Sequence, residues 1–106
     1  MKKEFEKYDV KITVVKKTFN EDLLEECALD PKVWSICSHF NVGDEFMVDK
    51  IKPWEMPVGF CGWAWNDIHK LVLAMARGGF DLFLTCCTDG YRPVLFRLEK
   101  IKEETL

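Results

Sequence analysis

The stretch GFCGWAWNDIHKLVLAMARGG, residues 59–79, decides the fold. From Cys61 to Arg77 its apolar residues Ala64, Ile68, Leu71, Val72, Met75 and Ala76 recur every three or four positions. That spacing marks one face of an α-helix. Gly78-Gly79 ends the helix, because glycine enters the left-handed backbone region at little cost. A helix with a single apolar stripe has to lie on something, and the flanking sequence says what.

On either side the periodicity falls to two. Tyr8, Val10, Ile12 and Val14 alternate with Asp9, Lys11 and Thr13, which predicts a half-buried strand over residues 8–16. Glu45 to Ile51 reads as a second strand, with Phe46, Val48 and Lys50 on one face. Phe80, Leu82 and Leu84 outline a third, and Val94, Phe96, Leu98 and Ile101 a fourth. The turn Thr88-Asp89-Gly90 joins these two as a hairpin, with Pro93 at the first residue of the strand or on an edge. Between the first two strands Asn20 is placed to cap a short helix, with Glu21 and Asp22 in its first turn. Leu23, Leu24, Cys27 and Ala28 would share one side of it, and Asp30-Pro31 would end it. Residues 33–44 read as irregular, closing on the turn Gly43-Asp44. The expected fold is a single α+β domain over residues 1–106, with residues 1–7 a loosely ordered start. It has a mostly antiparallel sheet of about four strands and two helices packed on one face.

Composition narrows the function classes. With 48% apolar and 31% charged residues the chain is globular. A net charge of −3 with scattered lysines argues against nucleic acid as the main partner, since phosphate binding needs clustered cations. No apolar run reaches the roughly 18–20 residues of a membrane span, and no signal-peptide pattern opens the chain. Five cysteines, an odd count without Cys-X-X-Cys, point to free thiols in the cytoplasm.

Those thiols are the lead. Cys61 heads the long helix, where the positive helix end favours a thiolate, yet it also projects near the apolar stripe. Cys86 and Cys87 are neighbours on a strand and so face opposite ways. Cys86 continues the parity of Leu82 and Leu84 and is expected in the core, which makes Cys87 the better candidate for a functional thiol. Cys37 and His39 have a Cys-X-His spacing that can supply two metal ligands. Cys27 belongs to the apolar side of the short helix. Trp63 projects with Asp67 on the polar side of the long helix, as a contact-surface tryptophan does, unless a loop covers it. Arg92 can meet an anion, or pair with Asp89.

The segments Gly59 to Ile68 and Cys86 to Val94, with the opening strand and the Cys37 segment running into Val42-Gly43-Asp44, resemble a known family. Its members are small uncharacterised proteins, about ninety residues long, found mainly in anaerobic bacteria and archaea. The family pattern is a cysteine before a Gly-Asp turn, a cysteine heading a helix, and a cysteine before an aspartate near the last strand. Carried over, it falls on Cys37, Cys61 and Cys87. Many members place a histidine between the first cysteine and the turn; His39 lies in that interval, displaced. The resemblance implies shared residues and fold, not a reaction.

Three functions follow as expectations. The first is a zinc or iron–sulfur site of Cys37, Cys61 and Cys87, with His39, Cys86 or an outside molecule as fourth ligand. The second is a thiol-dependent redox enzyme using Cys61, for which the sequence identifies no base. The third is a non-catalytic module that binds a protein partner or itself through Trp63 or an edge strand.

Overall fold

The computed structural model describes residues 6–30 and 32–102. The first five residues of the expected loose start lie outside this range, and Glu6 and Lys7 within it are exposed. The chain runs β1 (Asp9–Lys17), α1 (Glu21–Glu26), β2 (Glu45–Val48), α2 (Gly62–Ala76), β3 (Leu82–Cys86) and β4 (Val94–Ile101). The strands form one sheet in the order β2-β1-β4-β3, and every neighbouring pair is antiparallel. The α+β architecture is as the periodicities predict.

Register sets the inner face. Val10 faces Val48, Ile12 faces Phe46 and Leu98, and Val14 faces Phe96. Directly opposed residues share a face, so β1, β2 and β4 present one continuous apolar surface. α2 lies across it with Ala64, Ile68, Val72, Met75 and Ala76 buried. Ile12, Ile68, Phe96 and Leu98 are each fully buried, and each such burial is worth about 1.5–3 kcal/mol. α2 ends in a Schellman motif. Gly78, at φ 86°, donates to the Met75 carbonyl at 2.9 Å, and Gly79 donates to that of Ala74 at 2.8 Å. A Cβ on Gly79 would stand 2.8 Å from the same Ala74 oxygen, so the second glycine is required by contact as well.

Five expectations need correction. The inner parity of β3 is Phe83, Thr85 and Cys87, because Phe83 faces Leu98 and Thr85 faces Phe96. Leu82, Leu84 and Cys86 therefore lie on the outer face and are exposed, and Cys86 is not a core residue. In α1 only Leu24 is buried; Leu23, Cys27 and Ala28 are exposed. The helix closes at Glu26, where Ala28 takes a positive φ of 60°, before Asp30 is reached. Asn20 makes no side-chain cap. Its amide Nδ2 donates instead to the Gly90 carbonyl at 2.6 Å, and its backbone N–H donates to that of Tyr91 at 2.7 Å. Asn20 thus ties the start of α1 to the β3–β4 connection. β2 ends at Val48, three residues short of the expected limit, because Asp49 turns the chain by accepting from the Ile51 amide.

At the far end of the sheet Asp81 accepts from Lys100 at 2.7 Å and from Lys102 at 3.4 Å. The Lys100 bond, then the Lys102 bond, hold its carboxyl below the ordinary 3.8. A depressed carboxyl adds stability above its unfolded value and loses it as pH falls through the folded value. Asp81→Asn is therefore expected to be less stable than the parent at neutral pH. In urea titrations the gap should close only below about pH 4.

Candidate functional site

Two phenylalanines bring distant segments together. Phe40 and Phe60 are both buried, with ring centroids 5.1 Å apart, and both rest on Phe96 of β4, at 5.3 and 5.4 Å. Phe46 closes the group at 5.8 Å from Phe40 and 5.0 Å from Phe60. Phe40 follows Cys37 and His39 in the irregular segment, and Phe60 directly precedes Cys61. Seating these rings in the core therefore sets the two segments side by side above the end of β4.

Hydrogen bonds fix each segment further. The Lys17 ammonium, at the end of β1, donates to the carbonyls of Cys37 at 2.9 Å and Phe40 at 2.7 Å. The ring Nε2 of His39 lies 3.0 Å from the Gly59 carbonyl. A carbonyl only accepts, so Nε2 carries the proton and, in the neutral ring, Nδ1 keeps the lone pair. Cys61 is the N-cap residue of α2, with extended backbone, and its carbonyl accepts the first helical bond from Trp65 at 2.9 Å. Cys87 continues the ladder past β3: its N–H donates to the Val94 carbonyl at 3.1 Å, and the Val94 N–H donates back to its Sγ at 3.4 Å.

The third segment is clamped to α2. Asp67 accepts from the Thr88 amide at 2.7 Å and from its hydroxyl at 3.1 Å. The Thr88 hydroxyl in turn accepts from Trp63 Nε1 at 2.9 Å. The residue after Cys87 is thereby held against the first two turns of the helix that begins after Cys61.

The result is a cavity of about 170 Å³ lined by Cys37, His39, Cys61 and Cys87, together with Trp63, Asp89 and Arg92. Phe40, Ala64 and Val94 complete its wall. All five cysteines of the chain are free thiols; Cys87 is buried and Cys37 and Cys61 are half-buried. Cys86 is absent from the wall, since it lies on the opposite face of the sheet. Cys27 is exposed, and its thiol, the largest influence on the nearby Tyr91, raises that phenol above its ordinary value. Among the described residues no three His, Cys, Asp or Glu side chains are grouped so as to hold a metal ion.

The electrostatics of the wall are mixed. Trp63 and Ala64, in the first turn of α2, place the positive end of that helix at the cavity, where it favours an anionic occupant. Arg92 pairs with Asp89 at 3.0 Å and lies 5.4 Å over the Trp34 ring, so its charge is already balanced. Trp63 is 63% exposed at the rim even though its indole N–H is bonded. Sequence reasoning missed Thr88 and Lys17. Neither has a local signal, because each acts on a residue at least twenty positions away.

No protein-family profile, curated protein or solved structure matches this chain. The reading of the site therefore rests on the arrangement of its own residues.

The clamp can be tested alone. Asp67→Ala should lower unfolding free energy by about 0.5–1.5 kcal/mol in denaturant titrations, because it removes the acceptor of the exposed Thr88 amide. Asp67→Asn, whose Oδ1 still accepts, should lose less.

Proposed function

We propose that this is a cytoplasmic protein that binds a thiolate-ligated metal centre, and that the centre is an iron–sulfur cluster rather than a single zinc ion. The observation that carries this reading is the shared cavity: Cys37, Cys61 and Cys87, from three separate segments, line it with His39. Soft thiolates select zinc and iron–sulfur clusters, and imidazole is compatible with both.

The choice between the two rests on size. A mononuclear site needs donors gathered around one point at about 2.0–2.3 Å. Here the donors surround about 170 Å³ of space and are not grouped for an ion. That volume equals several water molecules at about 30 Å³ each. A cavity of this volume would admit a polynuclear centre, with Cys37, Cys61 and Cys87 as its thiolate ligands.

The chain supplies what such a centre asks of its surroundings. The Val94 amide donates to the Cys87 sulfur, a contact of the kind that tunes cluster potentials. The Gly59 carbonyl holds the His39 tautomer, leaving Nδ1 as the nitrogen that would ligate. The helix end at Trp63 and Ala64 offsets negative charge. When bound, a cluster would supply one-electron transfer or Lewis acidity; the protein's own part is to ligate it and to limit water around it with Phe40, Ala64 and Val94.

Anaerobic reconstitution with ferrous iron and sulfide tests the reading. Visible absorption, with iron and acid-labile sulfide in stoichiometric ratio to protein, is the expected result. Cys37→Ser, Cys61→Ser and Cys87→Ser should each cut bound iron at least about tenfold, since loss of even an outer-shell partner costs about 10–100-fold in affinity. Cys27→Ser and Cys86→Ser should leave it unchanged. Folded protein that stays colourless, or losses that do not follow this division of cysteines, would defeat the proposal.

A further inference from the structure

β3 ends the sheet, and among the described residues no strand pairs with its outer side. The directions of its peptide groups follow from its ladder. The Cys87 amide donates to Val94 at 3.1 Å and the Asp81 carbonyl accepts from Lys100 at 3.0 Å. Residues of an antiparallel strand alternate between their two neighbours. Asp81, Phe83, Thr85 and Cys87 therefore direct their peptide groups at β4, and Leu82, Leu84 and Cys86 direct theirs outward.

The same strand is bare on both faces. Leu82 and Leu84 are each 60% exposed on the outer face and Phe83 is 40% exposed on the inner one. Soluble monomers blunt such edges with a charge, a proline or a bulge. β3, with the sequence LFLTC, has none of these, and its register with β4 is unbroken. The opposite edge is built differently: β2 has four residues and carries Glu45, ion-paired with Lys11 at 3.4 Å.

We propose that a second copy of this chain pairs antiparallel with β3 about a two-fold axis at Leu84, joining two four-stranded sheets into one. Unpaired amides and carbonyls along an extended edge are satisfied by another extended backbone, so the occupant is a β-strand. This chain carries the matching one. In the Leu84 register Leu84 faces its own copy and Leu82 faces Cys86. These are the residues whose peptide groups point outward, so every outward group between them finds a partner. No charged side chain meets another along the joint. Asp81, at its end, is already neutralised within its own chain by Lys100 and Lys102 at 2.7 and 3.4 Å. A single short strand falls at the small end of specific interfaces, so the dimer is reversible and depends on concentration.

Sedimentation equilibrium from about 1 µM to about 1 mM, with residue-resolved hydrogen exchange at both limits, tests this. The expected result is a monomer–dimer equilibrium in which the amides of Leu82, Leu84 and Cys86 gain protection as concentration rises. Those of Phe83 and Thr85 should be protected throughout. Leu84→Lys sets like charges directly opposite each other and should weaken the dimer at least about tenfold. If that variant does not fold, Cys86→Lys, which sets a charge opposite the apolar Leu82 of the second copy, should weaken the dimer from the neighbouring outward position. A monomer across the whole range, a dimer indifferent to the substitution, or protection of Leu84 that ignores concentration would each overturn the proposal.

Discussion

The contact of Phe40 and Phe60 on Phe96 is the constraint on which the rest of the site depends. One ring belongs to an irregular segment with no regular hydrogen bonding of its own. Another belongs to the last residue of a loop between Pro53 and the long helix. The third is a strand residue fixed by the sheet. Burying all three fixes the directions in which their neighbours leave the core. Cys37 and His39 emerge on one side of the junction and Cys61 on the other. The Lys17 bonds to two carbonyls then hold the irregular segment where the ring has placed it.

The remaining thiol arrives by strand parity. A strand residue has only two faces to choose from, and a shift of one position exchanges them. Phe83 and Thr85 face Leu98 and Phe96, so Cys87 turns inward and Cys86 outward. The apolar residues Phe80, Leu82 and Leu84 point to the opposite assignment, with Cys86 in the core beside them, yet Leu82, Leu84 and Cys86 are exposed. The structure separates apolarity from burial here, since the edge position of β3 leaves little to cover either face.

Other parts of the fold were legible for plain physical reasons. The long helix was readable because its stripe runs through four turns and ends in two glycines. The inner faces of β1 and β4 were readable because apolar and polar residues alternate along them. The short helix was legible in its place, opening at Glu21 after Asn20, but its buried side was not, because six residues do not define a stripe, and the Asn20 side chain found a better partner across the chain than in its own first turn. The residues that build the cavity wall were partly visible as cysteines and a histidine at junctions. The clamp of Asp67, Thr88 and Trp63 was not, as it links positions that only the hairpin and helix together bring near.

The three thiols that share the cavity come from positions 37, 61 and 87, spanning nearly half the chain. No short peptide of this protein contains even two of them in the spacing that they have in space. An unfinished or denatured chain would therefore offer a guest no preformed foothold, and any capture would have to follow completion of the hairpin. Whatever settles there would hold helix, loop and sheet to one another and resist their separation, in the way that a ligand specific to the native state raises its apparent stability. Loading and folding would be read by the same melting curve.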